Sequence, residues 1–268
     1  FVKALDTLQR MVKEVSDRCD FVIALTHVGI KKDETIAEKV QGLDLIVGGH
    51  SHTRMEKEQR VNGIPIVHSG AKGYSVGRID LTVDSETHQI GEFQFQLLPV
   101  NADLAPEDEE TAREVKNWED KVSELVDRPL GTSKRSFSQQ ELILLANAAF
   151  LEATGADYAY QNSGGTRSTL KKGDFPYRDI WNIFPFENTL VTASLKGKEI
   201  PKDFYGWKSI DPQKSYKLVT NSFVRDQIER YLPSLKNVSW EETGIDLRDA
   251  VIRYIEKRKI VDHVSLTQ

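Results

Sequence analysis

Apolar and polar positions along this chain recur with two different periods. Val2, Leu5, Leu8, Met11, Val12 and Val15 are spaced to line one face of a helix. Asp20 to His27 follows as a mostly apolar run, too short for a helix and suited to a central strand. A second amphipathic stretch, roughly Asp33 to Val40, leads into another buried strand, Asp44 to Gly48. This alternation of helix and strand is the rhythm of layered α/β architecture. Beyond Thr53 the period shortens: Ile64 to His68, Val76 to Val83 and Glu92 to Leu98 read as strands of a β-rich, antiparallel closing section.

Pro106 to Val126 is strongly charged but carries Ala112, Val115, Trp118, Val122 and Leu125 at helical spacing, which suits a connector between two folded regions. The second region begins near Arg128. Gln139 to Glu152 is apolar on most faces and predicts a buried helix. Tyr158 to Tyr160 is a short strand running into the glycine-containing turn NSGGTR, Asn162 to Arg167. The run DIWNIFPFEN (Asp179 to Asn188) comes next, then strands at Leu190 to Leu195 and Ser215 to Val219, and a closing helix at Leu247 to Lys257.

Composition narrows the function classes. The 268 residues are enough for two domains with separate cores, and a net charge of −5 gives no basic footprint for a nucleic acid polymer. No apolar run approaches the roughly 20 residues of a membrane span. The single cysteine, Cys19, excludes an intramolecular disulfide and any Cys-rich zinc site, and packing is its expected role. The chain opens at Phe1 inside a helical pattern, so it is expected to be cut from something longer.

Candidate chemistry gathers at strand ends, where ligands collect in α/β sheets. His27 follows the first strand, and His50 and His52 follow the second after two glycines. In an extended segment residues i and i+2 point the same way, so His50 and His52 are expected to face one spot. Neutral imidazoles are common ligands for zinc, manganese or iron, and three of them suffice for one catalytic zinc. An ordinary polar loop is the alternative that the His-x-His spacing leaves open. His68 is assigned no ligand role, and His88 and His263 read as solvent histidines.

THVG at Thr26 to Gly29 and GGHSHT at Gly48 to Thr53 resemble the last two metal-binding motifs of the calcineurin-like metallophosphoesterases. NSGGTR, Leu170 to Gly173, FPFEN at Phe184 to Asn188, LKG at Leu195 to Gly197 and KLVTN at Lys217 to Asn221 resemble the C-terminal domain of the 5'-nucleotidase family. The resemblance implies an α/β fold in three parts. The C-terminal part of a four-layer α/β metallophosphoesterase domain would occupy residues 1–104, a linker helix 105–127, and a separate mixed-sheet 5'-nucleotidase C-terminal domain 128–268. It further implies that His27 and His50 bind one divalent metal ion, zinc, manganese or similar, and His52 a second. Asn162, Gly165 and Arg167 would hold a nucleotide, and Phe186 would stack on its base. The residues alone leave Arg167 open as the partner of a surface carboxylate and Phe186 as a core residue.

The implied activity is hydrolysis of a nucleotide phosphomonoester by a two-metal-activated hydroxide, in the periplasm or outside the cell, with the substrate domain rotating about the linker helix. The family's earlier Asp-x-His, Gly-Asp and Gly-Asn-His motifs, which would precede THVG, do not occur ahead of Thr26. It is therefore expected to be inactive by itself, with self-association or an N-terminal fragment of the same protein as a partner. Ser138 and Gln139 stand where the family has an arginine and a glutamate, and NSFVRDQIERYL replaces its Gly-Gly-Asp-Gly segment, with Phe223 or Tyr231 available as a substitute aromatic. Those departures keep two alternatives open: a non-catalytic nucleoside- or ligand-binding module, and a hydrolase of nucleotide sugars or cyclic nucleotides.

Overall fold

Short apolar runs set between charged helical stretches assemble here as separate small sheets. The computed structural model describes residues 4–87, 89–101, 103–264 and 266, so Val2 and His88 lie outside the described residues. The chain divides into two compact units, Phe1–Ala112 and Arg113–Gln268.

In the first unit, strands β1 (Ile23–Leu25), β2 (Leu45–Gly48), β3 (Gln59–Val61) and β4 (Ile64–His68) form one sheet in the order β1-β2-β4-β3. β1, β2 and β4 are parallel and β3 is antiparallel to β4. Helices α1 (Ala4–Val15) and α2 (Ile30–Lys39) pack with it through Val12, Ala24, Ile36, Ala37, Val40, Ile46 and Ile66. β1 is not the central strand expected from its apolar run. It borders the sheet, and Leu25 is 85% exposed because no described strand pairs on that side. Cys19 is likewise exposed rather than packed, its Sγ donating to Val15 O beyond the end of α1. The long strands β5 (Ser75–Val83) and β6 (Ile90–Pro99) make an antiparallel ribbon with Ile79 opposite Phe95 and Leu81 opposite Phe93.

Helix α3 (Glu109–Val126) contains the division between the units. Its apolar stripe, Val115, Trp118, Val122 and Leu125, stays exposed. What fixes its C-terminal end within the second unit is Arg178, which donates to Ser123 Oγ at 3.0 Å and pairs with Glu119 at 2.7 Å and Asp127 at 2.5 Å. These bonds, that of Arg178 first, hold the Asp127 carboxyl at about 2 against an ordinary 3.8. A depressed carboxylate stabilises the fold above its unfolded value and loses that contribution as pH falls through its folded value. The α3 anchor is therefore intact at pH 5 and lost between about pH 4 and pH 2. Carbon-13 NMR titration of Asp127 should show the low midpoint and, in Arg178→Gln, its rise toward the ordinary 3.8, with the Ser123 hydrogen bond still holding it somewhat lower.

The second unit is built on a mixed five-stranded sheet. Its strands are β8 (Tyr158–Ala159), β10 (Thr189–Lys196), β11 (Tyr205–Gly206), β12 (Ser215–Asn221) and β13 (Glu241–Asp246), in the order β11-β8-β12-β10-β13. A smaller sheet joins β7 (Pro129–Ser133), β9 (Gly173–Pro176) and β14 (Ile260–Val261). Side chains alternate between faces along a strand, and the cores follow that rule. Ala159 and Val219 face α4 (Gln139–Thr154) and α8 (Leu247–Arg258), with Leu142, Leu145, Phe150, Val251 and Ile255. Tyr158 and Leu218 face the opposite way, onto Phe204, Tyr216, Val224, Leu232 and Leu235.

α4 is the buried helix its composition predicts, with Leu142, Leu145 and Ala146 to Leu151 all buried. Ser138 is its N-cap and makes a capping box with Glu141, which Arg135 also contacts at 2.5 Å. Ser138 thus has a structural assignment. Helix α5 (Tyr177–Ile183) lies inside the DIWNIFPFEN region, and α6 (Ser222–Asp226) and α7 (Ile228–Tyr231) follow β12.

Candidate functional site

β1 and β2 are parallel neighbours, so the residues that follow them emerge at one edge of the first sheet. There the His27 and His50 rings meet edge to face, 5.2 Å between centroids and 73° between planes. Gly49 lets the two loops approach, since a Cβ at that position would stand 3.0 Å from His27 Nδ1. The loop is not extended as the spacing predicts. His50 and His52 have φ of 78° and 55°, left-handed values that ordinary side chains avoid, so the two-residue alternation rule does not apply to them. Such backbone costs about 1–3 kcal/mol per residue and concentrates at ligand sites. Ser51 secures it, accepting from Ile30 N at 3.1 Å and sharing a 2.8 Å hydrogen bond with Thr53 Oγ1.

The neighbouring imidazoles of His27 and His50, the latter on a strained loop, are a fitting partial donor set for a divalent ion. No ring contact joins His52 to them, and among the described residues no group of three or more His, Cys, Asp or Glu side chains is placed to hold a metal.

Directly beneath this edge lies a buried polar chain that sequence reasoning missed. Thr26 Oγ1 donates to Asp33 Oδ1 at 2.6 Å, and Asp33 Oδ2 shares a 2.8 Å hydrogen bond with His68 Nε2. Asp33 and His68 are both buried, and His68 Nδ1 has no partner. Asp33 sits in the first turn of α2, where the helix dipole favours a carboxylate. The chain ties the residue before His27 to α2 and to the end of β4. His263, by contrast, is exposed as expected.

In the second unit one edge of the five-stranded sheet collects most of the remaining candidates. β8 and β12 are parallel, and β10 is antiparallel to both β12 and β13. Consequently the segments after β8, after β12, after β13 and before β10 all reach the same edge. They carry Asn162, Phe223, Arg248 and Phe186 respectively. The NSGG turn is a single 3-10 turn, Ser163–Gly165. A Cβ on Gly165 would come 2.3 Å from Gln161 Nε2, so only glycine permits this approach. Arg167 leaves the turn with its N–H bonded to Ile183 O at 2.8 Å. Its exposed guanidinium stands 6.0 Å from the centroid of the Phe186 ring. Phe186 is 45% exposed, whereas Phe184, two residues earlier, takes the core position.

Asn162 is buried rather than open. Its Oδ1 accepts from Asn221 Nδ2 at 3.1 Å, and the same Nδ2 donates to Gln161 Oε1 at 2.8 Å. Asn221 Oδ1 in turn accepts from Val224 N at 3.0 Å, capping α6. One asparagine therefore links the NSGG turn to the helix that bears Phe223, whose ring lies 5.8 Å from that of Tyr231. The sequence signal for this hub is slight: an Asn between a strand and a serine, which is an ordinary helix N-cap pattern.

The family model described as "5'-nucleotidase, C-terminal domain" matches residues 121–209, which contain the NSGG turn, Arg167 and Phe186. Residues 121–209 of the second unit are thus similar to the 5'-nucleotidase C-terminal domain. Among curated relatives, the trifunctional nucleotide phosphoesterase protein YfkN of Bacillus subtilis is 33% identical over 221 residues, 75% of this chain and 15% of that protein. A second Bacillus subtilis protein, the uncharacterized metallophosphoesterase YunD, is 29% identical over 202 residues, 74% of this chain and 44% of its own length. The chain thus spans less than half of either relative. A solved 5'-nucleotidase precursor from Thermus thermophilus shares the fold across 100% of this chain and 66% of its own, with a TM-score of 0.81 at 21% identity. The second unit is mixed α/β, as the family resemblance implies. None of the described helices is long and apolar enough to cross a membrane.

Proposed function

We propose that this chain is part of a metal-dependent phosphoester hydrolase of the 5'-nucleotidase type, acting on a nucleotide phosphomonoester. The observation that carries this reading is the convergence of the NSGG turn, Arg167 and the exposed Phe186 ring at one sheet edge of a 5'-nucleotidase C-terminal domain. Phe186 offers an open face for a base, and Arg167 brings a cation beside it for an anionic group. Gly165 is the third residue proposed to hold the nucleotide, within that turn. A nucleotide's flat ring and phosphate match that pairing.

The first unit contributes His27 and His50 to one divalent ion and His52 to a second, and the name of YunD agrees with metal use. Ions held there would supply Lewis-acid polarisation of the phosphoryl group. The chain's own part is to orient two imidazoles through the Thr26–Asp33–His68 chain beneath them. With two adjoining imidazoles and no third described donor, the chain by itself is proposed to be catalytically silent. The periplasmic or extracellular setting rests on the family resemblance alone, and residues 105–127 are proposed as the linker.

Titration calorimetry with AMP and adenosine tests the binding half. Phe186→Ala should weaken adenosine by roughly 5- to 100-fold, the equivalent of losing one base stack. Absence of heat with either ligand sinks the nucleotide reading. A phosphate-release assay on the whole protein, with manganese or zinc, tests the catalytic half.

A second reading is favoured by Ser138, which is occupied in the cap of α4 rather than presented to a ligand. In that reading the domain is a binding module without catalysis. Ligand binding undiminished in a His27→Ala, His50→Ala double variant, with no metal-dependent phosphate release from the whole protein, would establish it.

A further inference from the structure

Arg248 is the second residue of α8 and reaches the same sheet edge from behind. It is 3% exposed. Buried arginines ordinarily meet a carboxylate, because a desolvated cation is costly to leave uncompensated. Arg248 instead donates Nε to Phe184 O at 3.1 Å and Nη2 to Phe186 O at 3.3 Å. Its guanidinium also lies 3.6 Å from the centroid of the Trp181 ring. These partners all belong to α5 and the Phe184-Pro185-Phe186 turn that leaves it. The planar fork thus holds the turn at two successive non-proline carbonyls, while the Phe186 ring projects on the exposed side.

We propose that Arg248 is a positioning residue that fixes the Phe186 ring for stacking against a planar ligand. The inference rests on the reading of Phe186 given above and adds the group that orders it. A lysine at this position would keep the charge but lose the fork, since an ammonium is a point donor without planar geometry. The guanidinium also spreads its charge over the Trp181 face, so a cation is accommodated here without an acid.

The experiment uses the full chain with Arg248→Lys, Arg248→Met, Phe186→Ala and the Phe186→Ala, Arg248→Met double variant. Native-state hydrogen exchange comes first and needs no ligand. The amides of Phe184 and Arg167, which bond Ile180 O and Ile183 O, are expected to exchange at least ~10-fold faster in both Arg248 variants, with β10 and β12 unchanged. Unaltered exchange across that turn overturns the proposal. Calorimetry with adenosine follows. Each Arg248 variant should weaken binding by roughly 5- to 100-fold, and Arg248→Met should add nothing on the Phe186→Ala background. A full additional loss on that background also overturns it, because Arg248 would then act independently of the ring. If the wild-type chain binds neither adenosine nor AMP, the nucleotide reading falls, while the exchange result still decides whether Arg248 orders the turn.

Discussion

Gly48→Ala is expected to destabilise the first unit by about 3–5 kcal/mol, a large share of the ~5–15 kcal/mol that holds a typical domain together. Gly48 ends β2 opposite His68 on β4, and its backbone passes directly over the Asp33–His68 pair. An alanine Cβ there would come 2.1 Å from His68 Nε2 and 2.3 Å from Asp33 Oδ2. Both are terminal side-chain atoms, which elsewhere could swing aside. Here they are buried and bonded to each other, so they can move only by breaking that bond. Overpacking alone costs about 1–3 kcal/mol, and separating a buried charged or polar pair adds more. Urea denaturation, followed by a probe in the first unit, measures the loss. His68→Ala removes the obstructing ring, so the Gly48→Ala, His68→Ala pair should be less destabilised than the sum of its singles. Gly63→Ala is the control, since nothing lies within 4 Å of that Cβ and only its φ of +82° opposes the change. A Gly48→Ala protein as stable as wild type would show that the pair is free to relax.

The second large effect is expected at Asn221. Its side chain is fully buried and serves three partners, Gln161 Oε1, Asn162 Oδ1 and Val224 N. Asn221→Ala leaves all three without it. A buried polar group left unsatisfied costs about 1–3 kcal/mol, and a lost helix cap about 1 kcal/mol. With partial relaxation, the second unit should lose roughly 3–5 kcal/mol. Asn221→Asp separates the two functions. It keeps the acceptor that caps α6, but turns a carboxylate oxygen toward the Gln161 and Asn162 oxygens that previously accepted a hydrogen bond. It should therefore preserve α6 while loosening the NSGG turn, and weaken AMP more than it lowers the melting temperature. Equal effects of the two substitutions on ligand binding and on exchange of the α6 amides would contradict this division.

The histidine loop and the sheet edge of the second unit differ in how far they could be read from residue order. The NSGG turn, Arg167 and Phe186 belong to contiguous motifs, so short segments announced them. Phe184 and Phe186 are alike in sequence, and their separation into buried and exposed emerges only once Arg248, 62 residues beyond Phe186, takes hold of the turn. In the sequence Asp33 only opens an amphipathic stretch. It is buried because His68, 35 residues away, is brought against it by the β2–β4 pairing. The His50 and His52 loop was expected to be extended, which overlooked that the two glycines release the chain from the strand before it reaches them.

Short elements were also hidden. α5 lies in an aromatic run that ends at Pro185, and its 7 residues show fewer than two full turns of periodicity. β13 reads EETGID, a polar sequence that pairs only because β10 offers it a free edge.

By itself the amino-acid sequence determined the alternation of helices and strands, the buried character of α4, the charged helix α3 and the motifs that resemble a 5'-nucleotidase C-terminal domain. All of these are local properties: spacing, composition and turn chemistry. Only the tertiary structure decided that Asp33 and His68 form a buried pair, that one asparagine joins two loops of the sheet edge, and that a buried arginine bonds the Phe184 and Phe186 carbonyls. Each depends on strand pairing or helix packing between distant residues, and hydrogen-bond partners so remote in sequence leave no periodic trace in it.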